Sequence, residues 1–217
     1  MVSHELKTPL TSLGGYTQML QMHARKNDDT FAKDKLDKVI KQVKKMSTLI
    51  NGFLNVSRLE SGKIHLNKQP FELGALIREI IEDAESSMSS HRLVFEQACQ
   101  ALVSADRDKI GTVLYNLISN AIKYSPKANQ VLIKCQVENQ SVTVSIRDDG
   151  MGIKPDELGK LFDRYYRVES NQMKHISGFG IGLYLSSEII TRHEGTIWAE
   201  SQVGLGSTFY ISLPLAQ

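Results

Sequence analysis

The chain has 217 residues, 41% hydrophobic and 23% charged, with a net charge of +2, which leaves room for one or two domains around a true core. No apolar run reaches the ~18–20 residues that a membrane-crossing helix requires, and no signal peptide opens the sequence, so a soluble portion is expected. The two cysteines, Cys99 and Cys135, lack metal-ligand spacing and are expected to be reduced thiols.

Residues 4–24 and 31–60 repeat hydrophobic side chains every three or four positions, the spacing of one helix face. In the second stretch Leu36, Val39, Ile40, Val43, Met46, Leu49, Ile50 and Phe53 make the stripe, with lysines between them. The polar break Lys26-Asn27-Asp28-Asp29-Thr30 predicts an antiparallel helical hairpin. A hairpin alone buries little, so two long stripes predict that two copies pair into a four-helix bundle through residues 1–66. Ser61-Gly62-Lys63 ends the second helix, with Gly62 as its C-terminal cap.

Charge follows the same division. Residues 1–66 hold 11 Lys/Arg against 6 Asp/Glu, or +5, and the remainder holds 15 against 18, or −3. Lys33, Lys35, Lys38, Lys41, Lys44 and Lys45 supply most of the excess. They fit either a solvated helix face or a surface that steers an acidic protein partner. No aromatic residues are interleaved with them, so they do not point to nucleic acid.

From residue 67 onward the pattern becomes mixed α/β. Leu76, Ile77, Ile80, Ile81 and Ala84 mark a helix, and Arg92–Phe95 and Ala101–Ala105 read as short strands. Asp106 is placed to cap a helix that carries Asn116 and Asn120. The alternating stretches Val131–Val137 and Val142–Ile146 form a hairpin around Glu138-Asn139-Gln140. A helix over 180–193 and strands near 196–200 and 208–213 complete the chain.

Two groups of residues carry chemistry. His4 stands beside Glu5, whose carboxylate can hold the imidazole in one tautomer and take its proton. Pro9 would remove the amide that bonds back to Glu5 and so loosen the turn. Farther on, Asn116 and Asn120 share one helix face, and amide oxygens are hard ligands suited to magnesium. Lys123 and Tyr124 follow one turn later. Asp148-Asp149-Gly150-Met151-Gly152-Ile153 leaves a strand through a glycine turn, with Asp148 placed to accept a hydrogen bond from an adenine amino group and Asp149 expected to be exposed. Gly178-Phe179-Gly180-Ile181-Gly182-Leu183 opens a helix whose amide donors favour phosphate. Without a flanking βαβ unit, or an acid about twenty residues on, it is no Rossmann fingerprint.

Taken together, the boxes resemble the catalytic core of a bacterial-type sensor histidine kinase across nearly the whole chain. They are S-H-E-L-x-T-P-L from Ser3, N-L-x-x-N-A-x-K-Y-S from Asn116, D-x-G-x-G from Asp148, the phenylalanine box Leu161–Arg167, the second glycine box, and Gly204–Phe209. The resemblance implies an α+β chain: a dimerising phosphoacceptor hairpin at 1–66 and an α/β-sandwich ATP-binding domain at 67–217. It further implies that His4 accepts phosphate from ATP with Mg2+ at Asn120, and that a response-regulator receiver domain takes it on an aspartate. Thr8 is either a solvent-facing threonine or the residue that positions water for dephosphorylating that partner. The implied nucleotide-binding residues are Asn116, Asn120, Lys123, Tyr124, Asp148, Gly150, Gly152, Ile153, Phe162, Arg164, Arg167, Gly178, Gly180, Gly182, Leu183 and Thr208. Residues after the phenylalanine box would form a mobile lid, and either Arg164 or Arg167 would meet the γ-phosphate. Family members continue the first helix upstream into a sensor. The resemblance therefore implies a cytoplasmic portion, with membrane attachment left to a region outside these residues.

Two other readings stay in view. Related ATP-driven clamps hydrolyse ATP with a glutamate one turn before the metal-binding asparagine. Here that position is Asn116, which cannot take a proton from water. A non-catalytic dimerisation and phosphotransfer module is the other reading, and the intact nucleotide boxes argue against it.

Overall fold

The computed structural model describes residues 2–60, 66–87, 91–97, 99–168 and 179–216, with backbone only at 2–7, 44, 48, 51, 55–60, 87 and 97. By internal packing the chain divides into two units, Met1–Lys63 and Ile64–Gln217.

The first unit is the expected hairpin of α1 (Val2–Lys26) and α2 (Thr30–Glu60). Leu10, Thr17 and Ala24, spaced by seven, are the buried positions of α1 among the described side chains. The Thr17 hydroxyl bonds back to the Leu13 carbonyl at 2.6 Å, which lets a polar side chain sit in this seam. Asp29 starts α2 by accepting the Ala32 amide at 2.9 Å, the usual role of an aspartate at a helix N-terminus. Gln21 of α1 donates to Asp37 of α2, tying the two helices. The cap expected at Gly62 lies outside the described residues.

The second unit is a two-layer sandwich. Its five-stranded sheet has the order β2 (Arg92–Gln97), β4 (Gln130–Glu138), β5 (Ser141–Asp148), β7 (Gly206–Pro214) and β6 (Thr196–Gln202). Only β2 and β4 run parallel; the remaining neighbours are antiparallel. The inward set includes Val131, Ile133, Val142, Val144, Ile146, Phe209, Ile211 and Leu213, as period-two alternation requires. On this face lie α3 (Leu73–Ser87), α4 (Arg107–Tyr124) and α6 (Gly182–Arg192), which contribute Leu76, Ile77, Ile110, Leu114, Leu117, Ile118, Ile189 and Ile190 to one core. Asp106 caps α4 as expected, its carboxylate accepting the Lys109 amide at 3.1 Å.

Two elements were not foreseen. β1 (Gln69–Glu72) pairs antiparallel with β3 (Leu102–Ala105), and a single helical turn, α5 (Pro155–Leu158), follows the glycine turn. The cysteines also depart from expectation: Cys99 and Cys135 are joined by a disulfide, with 5.3 Å between their Cα atoms. They lie 36 residues apart in sequence, and only the approach of the segment after β2 to β4 brings them together. Among the described residues no helix is long and apolar enough to cross a membrane.

Candidate functional site

β5 ends in Asp148 and hands the chain to the turn that follows. Asp148 is only 3% exposed, and one of its carboxylate oxygens accepts the Gly150 amide at 2.9 Å. Burial pushes its carboxyl up from the usual 3.8 to about 6, while amide bonds from Gly150 and Ser207 pull the other way. Asp149 is exposed as expected and pairs with Arg147 at 3.2 Å. Gly152 has φ +68, and a Cβ there would run into the Gln202 carbonyl, so the turn needs glycine. Ile153 is buried, and its amide donates to the Ser201 hydroxyl at 2.8 Å.

A second wall comes from α4. Asn116 and Asn120 are both half-buried on one face of the helix. The Asn116 amide donates to Ser186 of α6 at 2.9 Å, and a Cβ at Gly182 would lie 2.7 Å from the Asn116 side-chain oxygen. Gly182 therefore lets the start of α6 close onto Asn116. One turn after Asn120, Lys123 lies over the Tyr124 ring with 4.9 Å to its centroid. Burial, and then the neighbouring Arg167 charge, lower the Lys123 ammonium below its ordinary value. Arg167 itself is exposed, so half-buried Lys123 is the cation of this pair that feels burial.

The remaining candidates divide. Gly180, with φ +67, accepts the Tyr165 amide at 2.9 Å, so the phenylalanine box and the second glycine box meet there. Phe162 and Leu183 are half-buried and pack against the core. Arg164 donates to the Tyr165 hydroxyl at 2.9 Å and stacks over that ring. The structure does not bring Thr208 to this group. It pairs in register with Arg147, on the opposite sheet face from Asp148. Ser207, opposite Asp148, is the inward residue, with its hydroxyl 2.9 Å from that of Ser201. Alternation back from Phe209, Ile211 and Leu213 was the signal that could have found it.

Gly178 and residues 169–177, which fall in the lid expected after the phenylalanine box, lie outside the described residues. So do the side chains of His4 and Glu5, although α1 carries their backbone, and Thr8 is exposed on that helix. Among the described residues no cluster of three His, Cys, Asp or Glu could hold a metal. An ion here would rely on an asparagine amide oxygen and phosphate, a donor set that suits magnesium.

Residues 105–217 match the model of the "Histidine kinase-, DNA gyrase B-, and HSP90-like ATPase" family, and residues 1–62 match the "His Kinase A (phospho-acceptor) domain". The chain belongs to the sensor histidine kinases. It is 34% identical over 216 residues to the sensor protein kinase WalK of Staphylococcus aureus, covering 98% of this chain and 52% of that relative. It thus spans about half the length of that relative, and 35% of WalK from other strains of the species. Among solved structures, the histidine kinase AdeS of Acinetobacter baumannii aligns over 99% of this chain and 98% of its own, at 27% identity and a TM-score of 0.69. Full-length ShkA, crystallised in complex with AMPPNP, covers 100% of this chain and 45% of its own, with a TM-score of 0.79; at 22% identity it speaks for the fold alone. Family membership accounts for the pairing of a helical hairpin with an α/β sandwich in one chain.

Proposed function

We propose that the chain is an ATP-dependent protein-histidine kinase with a dimerising phosphoacceptor portion at 1–66 and a catalytic ATP-binding portion at 67–217. Asp148 accepts the adenine amino group, Lys123 and Arg167 offset phosphate charge, and the turn before α6 presents amides to the phosphates. Magnesium, when bound at Asn120, would neutralise charge on the phosphate oxygens. A ring nitrogen of His4 attacks the γ-phosphorus, the bond to the β–γ bridging oxygen breaks, and ADP leaves. The displaced ring proton passes to the Glu5 carboxylate. The phosphoryl group then moves to an aspartate of a response-regulator receiver domain, and Thr8 orients water when that aspartyl phosphate is hydrolysed.

One observation carries the reading over ATP hydrolysis. The position that needs a base to activate water holds Asn116, whose amide is engaged with Ser186. The nucleotide therefore waits for a protein nucleophile. Incubation with γ-labelled ATP should give an acid-labile, base-stable label that is absent from His4→Gln. A label that survives in His4→Gln, or none in the unchanged chain, would overturn the assignment.

A further inference from the structure

At its C-terminal end α6 meets a buried polar junction that none of the roles above uses. His193, the residue after α6, is 2% exposed. Its Nδ1 lies 2.7 Å from the Ile189 carbonyl, and its Nε2 lies 2.9 Å from the Asp106 amide. A carbonyl only accepts and an amide only donates, so the ring is fixed as the neutral Nδ1–H tautomer. Asp106 begins α4, and its two carboxylate oxygens accept the amides of Lys109 at 3.1 Å and Asn67 at 3.0 Å. The chain entering the second unit meets the same junction a second time, where Lys68 pairs with Glu194 at 3.0 Å.

The two helices joined here are those whose other portions build the phosphate side of the site. α4 carries Asn116 and Asn120, and α6 begins at Gly182, with the Asn116–Ser186 bond between them. The adenine side is independent of this link: Asp148 is held by Gly150 and Ser207, on the sheet and its turn. We propose that His193 is a positioning residue for phosphoryl transfer, which sets the register of α6 against α4 by accepting the Asp106 amide. This deepens the kinase reading and rests on it.

The test uses two substitutions that divide the ring's two bonds. Asparagine places its amide near the Nδ1 position, keeping the bond to Ile189 and cutting the link to Asp106. Glutamine reaches the Nε2 position and keeps that link. Affinities for ATP and for adenosine are measured on the full 217-residue chain and its variants. His193→Asn should weaken ATP about tenfold while changing adenosine less than about twofold, the effect of a buried donor left without its acceptor. His193→Gln should hold the ATP-to-adenosine ratio within about threefold of the unchanged chain. Equal ratios in the two variants, or parallel loss of both ligands, would reduce His193 to a plain core residue. If only His193→Gln folds, a fall in its ratio beyond about threefold overturns the proposal. Failure of the kinase reading itself would look different, because the unchanged chain would then take no His4-dependent label from γ-labelled ATP.

Discussion

Asp148 carries its carboxyl in surroundings that disfavour the charge. Between about pH 4 and about 6 the folded chain keeps a proton that the unfolded chain has released. Stability therefore falls as pH rises through that window, by about 3 kcal/mol for a shift of this size. Adenine binding at the proposed Asp148 contact should have the opposite trend, since an ionised carboxylate is the stronger acceptor and gains as pH rises through about 6. Denaturant melts and adenosine titrations from pH 4.5 to 8 should show both slopes, and Asp148→Asn should flatten them. Asn120→Asp should weaken magnesium-dependent ATP use at least about tenfold by altering the ligand proposed to meet phosphate-bound metal. Autophosphorylation kinetics across a magnesium series would test it, and an unchanged rate would reassign the ion. Asp148 and its glycines were legible in the sequence because a turn that crowds backbone leaves glycine as its mark. Thr208 was not placed correctly, because a box of consecutive residues hides the alternation that puts Ser207, not Thr208, beside Asp148.

The helices of the hairpin carry two seams each. One is filled within the chain by Leu10, Thr17, Ala24 and Leu54. The other remains open: Leu13, Tyr16 and Leu20 on α1 are more than half exposed, and Val39, Met46 and Phe53 repeat every seven residues along α2. A second hairpin would cover that stripe, as a four-helix bundle does. Met46→Glu should accordingly weaken self-association at least about tenfold, since a two-fold interface loses the buried methionine on both sides. Sedimentation across a dilution series reads this directly, and an unshifted dimer constant would place the seam elsewhere. The long periodic helices and the β4–β5 hairpin were readable because each repeats its pattern several times. β1 and α5, of four residues each, are too short to show a period; β1 exists because β3 offers it an edge.

For the molecule as a whole, the Cys99–Cys135 bond is the feature least expected from the sequence. By closing a loop across a separation of 36 residues it should stabilise the second unit by about 4 kcal/mol through the unfolded chain. Reduction should lower the melting temperature of that unit while leaving ATP affinity within about twofold, since the half-cystine on β4 pairs with Val144, away from the Asp148 end of β5. Differential scanning calorimetry with and without a thiol reductant decides this, and an identical transition would mean that the bond carries no stability. Local pattern was enough to reveal the two-part architecture, the helical hairpin, the nucleotide boxes and the histidine beside its acid. Periodicity and turn chemistry are local properties that one stretch of residues can encode. Packing between distant partners set the rest: the disulfide, the Asn116–Ser186 bond and the His193–Asp106 junction. Contacts between residues dozens of positions apart leave no spacing to read, and exist only once the helices have packed onto the sheet.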